Sequence, residues 1–126
     1  MAGAPLSAVL HHLSGAASPH ALGDATDAEL LERFVARREE AAFAALLRRH
    51  GPMVLAAGRR AGGRAEDAED VFQATFLILA RRAAAIRKRA SLGSWLYGVA
   101  HRLALRARTR DTRRKAYERK AMSPLP

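Results

Sequence analysis

The chain contains no cysteine. That excludes disulfides, Cys-ligated zinc and thiol catalysis. Aromatic residues are scarce at 6%, although hydrophobic residues reach 49%, with alanine prominent among them. This balance favours thin helices in close contact over a sheet of aromatic and β-branched side chains. The sequence holds neither an extended alternating strand pattern nor an internal repeat. Long apolar runs are also missing, since Val71–Ala80 falls well short of the about 20 residues that span a bilayer. The N-terminus lacks a positively charged start, and His11, His12, Ser14 and Gly15 break up its apolar letters. A secretory signal and a membrane partner are therefore not expected, and the expected location is cytoplasmic.

Catalytic and metal signatures are absent as well. His11 and His12 are adjacent, His20 stands alone, and His50 and His101 fall on different expected helices. None has a second ligand at metal-binding spacing. There is no Gly-rich phosphate loop, nucleophile elbow or HExxH. The reading is of a non-enzyme with no catalytic residue, metal or cofactor.

What is present is charge, unevenly spread. Residues 1–80 carry eight arginines against ten carboxylates, a net of −2. Residues 81–126 carry fourteen Lys or Arg against Asp111 and Glu118, a net of +12. One end of the chain seeks a polyanion and the other does not, which points to nucleic acid.

Hydrophobic spacing gives an all-α class, a compact bundle of about four helices. Residues 1–23, with Pro5, Gly15 and Pro19, read as a flexible leader; 24–118 as the helical domain; and 119–126 as a disordered tail. Thr26 to Glu29 forms a capping box, opening a first helix that carries Leu30, Leu31, Phe34 and Val35 to about Arg38. A second starts near Glu39 and Glu40, bends at Gly51-Pro52 and ends at Gly62-Gly63. A third spans about Ala65 to Ala84, with acids in its first turns and Arg81 and Arg82 in its last, as the helix dipole favours. Arg87–Ser94 reads as a basic loop. A fourth helix starts at about Ser91 or Ser94 and buries Trp95, Leu96, Val99, Ala100, Leu103 and Ala104. Beyond Arg106 charge replaces the apolar stripe.

Three constellations carry chemistry. On the third helix Glu66, Asp70 and Gln73 share one side, with Asp67, Glu69 and an exposed Phe76 nearby. Such a strip suits docking on a basic protein surface, or it is a solvated helix start. In the loop, Arg87, Lys88 and Arg89 attract phosphates beside Ser91, Ser94 and Tyr97, and Tyr97 lies off the buried stripe where it can meet a base. By the same spacing Trp95 is a core anchor. Along the fourth helix, His101, Arg102, Arg106, Arg108, Arg110, Arg113, Arg114 and Lys115 make a positive rod.

The segments Asp27–Leu31 (DAELL), Ala42–Pro52 (AFAALLRRHGP), Ala65–Phe76 (AEDAEDVFQATF) and Ser94–His101 (SWLYGVAH) together resemble region 2 of extracytoplasmic-function (ECF) sigma factors, over about residues 26–115. The resemblance implies a third helix docked on the β′ clamp helices of bacterial RNA polymerase core. Asp70 and Gln73 match the docking positions, with Asp67, Glu69 and Phe76 alongside. It implies that the Arg87–Ser94 loop and the fourth helix hold the single-stranded non-template −10 element of promoter DNA, one base flipped into a loop pocket. On this reading the DNA-contacting residues are Arg87, Lys88, Arg89, Ser91, Ser94, Tyr97, His101, Arg102, Arg106, Arg110 and Arg113. An anti-sigma factor is a further partner the resemblance admits. Ala74 stands where many members carry Glu, and Arg102 where many carry Asn. The family normally continues into region 4, a helix-turn-helix reading the −35 element; no such pattern stands before Pro126, so the expectation is a piece of a longer sigma factor or a region working alone. A regulatory fragment that binds polymerase without initiating, and a basic helical nucleic-acid binder independent of polymerase, remain open readings.

Overall fold

The computed structural model describes residues 22–60 and 64–122. Among them are four α-helices and no strand: α1 (Asp27–Arg37), α2 (Glu40–Arg60), α3 (Ala65–Arg82) and α4 (Leu92–Met122), with 3₁₀ turns at Ala83–Ala85 and Arg89–Ser91 between the last two.

The expected capping box opens α1. The Thr26 hydroxyl accepts from the Glu29 N–H, and the Glu29 carboxylate accepts from the Thr26 N–H, both at 3.1 Å. These bonds, the backbone one foremost, lower the Glu29 pKa. The helix stops where Arg38 turns left-handed (φ 52°), its N–H donating to the Phe34 carbonyl and its guanidinium resting over the Phe34 ring.

The α2 helix runs from Glu40 to Arg60 with Pro52 inside it. It packs on all three other helices and so forms the centre of the bundle. Its small residues set how closely α3 approaches. A Cβ at Gly58 would lie 3.0 Å from the Ala68 Cα and 3.2 Å from its carbonyl oxygen, both backbone atoms that cannot rotate away. The expected stop at Gly62-Gly63 lies outside the described residues.

The core joins Leu30, Leu31 and Phe34 of α1 to Phe43, Leu46 and Val54 of α2, Phe76 and Leu79 of α3, and Leu92 and Leu96 of α4. Phe43 stacks at a tilt on Phe34 (4.9 Å) and meets Phe76 edge-on (6.4 Å, 87°), geometries aromatic quadrupoles favour. Thr75 is buried and satisfied, its hydroxyl donating to the Val71 carbonyl at 2.7 Å.

The boundaries differ from sequence expectation in three places. Leu22, assigned to the leader, is buried in the core; the rest of that leader, 1–21, lies outside the described residues. The third helix stops at Arg82, its last expected turn tightening to a 3₁₀ turn that buries Ala83. The fourth begins at Leu92, directly after Ser91, in agreement with the earlier of its two expected starts, and Ser94 sits inside the helix. It also continues to Met122, past the expected domain end at 118, a length of 31 residues or about 46 Å. Its last buried residue is Ala104. The remainder leaves the core as a charged rod.

Candidate nucleic-acid interface and docking surface

The α3 helix turns Ala68, Val71, Thr75, Phe76 and Leu79 inward. Successive positions rotate about 100°, so the opposite face carries Glu66, Asp70, Gln73 and Leu77, with Glu69 beside them. Glu66, Glu69 and Asp70 are exposed, and none forms an ion pair among the described residues. Two members of the expected strip are elsewhere. Phe76, expected to be exposed, is 0% exposed and packs between Phe43 and Phe72. The apolar side chain that does face outward is Leu77, at 49% exposure, which sequence reasoning missed. The signal was its position one turn after Gln73 and two after Asp70. Asp67 is half-buried: its carboxylate accepts from the Arg64 N–H at 3.1 Å, capping the helix, and it shares a cleft with Arg110, Asp111 and Arg114 of α4.

The basic loop is held at both ends by buried apolar residues, Ile86 and Leu92. Between them Arg87 and Lys88 are exposed and form no ion pair among the described residues. Arg89 is different. Its guanidinium is ion-paired with Glu32 of α1, and its Nε donates to the Ile86 carbonyl at 3.4 Å. Ser91 and Ser94 are exposed on the same segment.

The expected contacts on α4 separate into two faces. Tyr97 (42% exposed) and His101 lie one turn apart, their rings stacked with centroids 5.8 Å apart and planes 8° from parallel. Arg102, Arg106, Arg110 and Arg113 line a different side, roughly 150° around the axis. There Trp95, Val99, Arg102, Leu103 and Arg106 meet Ile78 and Arg82 of α3 around a cleft of about 230 Å³. Trp95 packs against the core, as expected of an anchor, yet is only half-buried and lines this cleft as well. Arg82, which the sequence placed only at a helix end, is a cleft residue brought in by the crossing of α3 and α4.

Ion pairs sort the cations of the rod. Asp111 accepts from Arg114 at 2.7 Å and pairs with Lys115 at 3.3 Å. The Lys115 hydrogen bond, then the charges of Lys115 and Arg114, outweigh desolvation and lower the Asp111 pKa. Arg102, Arg106, Arg110 and Arg113 are exposed and have no such carboxylate among the described residues. The four-arginine face therefore has charge left to offer, and Arg108, likewise exposed and without a carboxylate among the described residues, adds one such cation on the Tyr97–His101 side. Among the described residues no three His, Asp or Glu side chains converge as metal ligands, and no helix is long and apolar enough to cross a membrane.

The Sigma-70 region 2 family matches residues 46–114, from within α2 to the seventh turn of α4 and over more than half of the chain. No curated protein and no solved structure matches. The match spans the α3 strip, the basic loop and the arginine face, and the chain belongs to the Sigma-70 region 2 family.

Proposed function

We propose that this module, whose family role is RNA polymerase binding and promoter recognition without catalysis, is of the ECF type and works by gripping two partners at once. The α3 face of Glu66, Glu69, Asp70, Gln73 and Leu77 docks on the β′ clamp helices of the polymerase core. The basic loop and α4 hold the opened non-template strand of the −10 element. The observation that carries this reading is the segregation of unpaired charge: carboxylates around an exposed leucine on α3, and cations beside aromatic rings on the loop and α4.

The two α4 faces divide the labour. The Arg102–Arg113 face neutralises phosphates, each contact releasing condensed counterions. The Trp95 cleft, with Arg82, Arg102 and Arg106 around it, and the exposed Tyr97 offer aromatic surface to unstacked bases, worth about 1–3 kcal/mol per base. Unstacking a base costs a few kcal/mol, so the module must bind single strands better than duplex, and that difference shifts the melting equilibrium.

The test combines two measurements on the full chain. Pull-down of core polymerase should be lost with Asp70→Lys while single-stranded DNA binding persists. A labelled non-template oligonucleotide should bind more tightly than the same sequence as duplex. Retention of polymerase by Asp70→Lys, or preference for closed duplex, would overturn the proposal. Run-off transcription then separates an initiating factor from one that only occupies the polymerase.

A further inference from the structure

The carboxylates of α1 are all engaged, and one reaches the DNA-facing loop. Asp27 pairs with Arg49 and hydrogen-bonds His50 on α2, both at 2.9 Å, and Glu29 closes the capping box. Glu32 alone crosses to the basic loop, where it takes the guanidinium of Arg89, 57 residues further along the chain. It belongs to a helix that precedes the matched span 46–114.

The pair does not hold the loop in place. Glu32 is 61% exposed and Arg89 25% exposed, and exposed ion pairs contribute little to stability. Ile86 and Leu92 anchor the loop through burial in the core, and the Ser91 N–H closes its turn on the Lys88 carbonyl at 3.0 Å. What Glu32 changes is the charge the loop presents. Of three consecutive cations, Arg87 and Lys88 are available and Arg89 is cancelled.

We infer that Arg89 is a phosphate subsite which Glu32 occupies as a built-in competitor, its carboxylate standing where a backbone phosphate of the bound strand would sit. The inference rests on the DNA-binding reading above. It means that α1 limits the affinity of the loop for nucleic acid, and that removing one carboxylate exposes one more phosphate contact. The pair stays closed in the wild-type complex.

The experiment measures affinity of the full chain for an oligothymidine, which reports phosphate contacts without promoter sequence, across a salt series. Each phosphate contact to a single strand adds about 0.7 to the slope of log affinity against log salt. Glu32→Gln should steepen the slope by about 0.7, an eightfold gain that opens between roughly 1 M and 50 mM salt. Adding Arg89→Gln to Glu32→Gln removes both charges of the pair and should return the slope to the wild-type value. Circular dichroism confirms that each variant is folded. An unchanged slope in Glu32→Gln, or a steepened one that persists in the double variant, refutes the competitor role while leaving DNA binding intact. If wild-type protein shows no salt-dependent binding at all, the DNA-binding reading falls and this inference with it.

Discussion

Neighbouring residues on α3 offer a decisive comparison. Phe76 is fully buried between two other phenylalanines, and Leu77, next in the chain, is half-exposed on the acidic face. Truncating Phe76 to alanine removes a ring from a packed core and leaves a cavity, which costs about 3–5 kcal/mol. Small domains are stable by only about 5–15 kcal/mol, so Phe76→Ala should lose a large share of the total. Leu77→Ala forfeits at most part of the roughly 1.5–3 kcal/mol of a fully buried leucine, and alanine's helix propensity offsets some of that. The net change should stay below about 1 kcal/mol. Urea unfolding followed by far-UV circular dichroism reads both. Core-polymerase pull-down then shows the opposite ranking among folded proteins: Leu77→Ala should weaken docking by about tenfold, equivalent to about 1.4 kcal/mol. If Phe76→Ala unfolds at nearly the wild-type urea concentration, or Leu77→Ala costs as much stability as Phe76→Ala, the assignment of faces on α3 is wrong.

Gly58→Ala should destabilise by about 1 kcal/mol, because the backbone clash with Ala68 outweighs the propensity gain. Gly93→Ala is the control: its new Cβ would meet only the His50 ring, at 3.5 Å, and urea titration should find stability undiminished, with a gain of up to about 1 kcal/mol from the propensity term alone. Thr26→Ala should cost about 1 kcal/mol through loss of the α1 cap. The lowered pKa of Asp111 means its contribution is present above its unfolded pKa and disappears as pH falls through the folded one. Far-UV circular dichroism should therefore show the α4 rod losing helicity on acidification below the usual carboxylate range, a component absent in Asp111→Asn. Arg106→Gln should flatten the salt slope of oligothymidine binding by about 0.7, whereas Arg114→Gln, already held by Asp111, should change it less.

Local rules carried much of the reading. The Thr26–Glu29 capping box, the acids opening α3 and the apolar spacing of α4 each depend on residues within one or two turns, so composition and periodicity suffice to place them. The opposite charge of the two ends is likewise written in the chain and needs no folding to be seen. Spacing alone does not say where the centre of a helical stripe lies. On α3, Phe76 and Leu77 stand 100° apart, and only the position of Phe43 on α2 makes the first core and the second surface.

Contacts between distant residues were invisible for a different reason. The Glu32–Arg89 pair, the cleft that Asp67 shares with Arg110 and Arg114, and the meeting of Arg82 with Trp95 each depend on how helices cross. Crossing is set by the summed packing of the whole core, in which small residues such as Gly58 admit one backbone to another. The linear chain thus specifies its helices and the sign of charge each carries. Three-dimensional packing selects which of those charges are spent on one another and which stay free for a partner, because a cation's availability depends on the carboxylate that folding brings beside it.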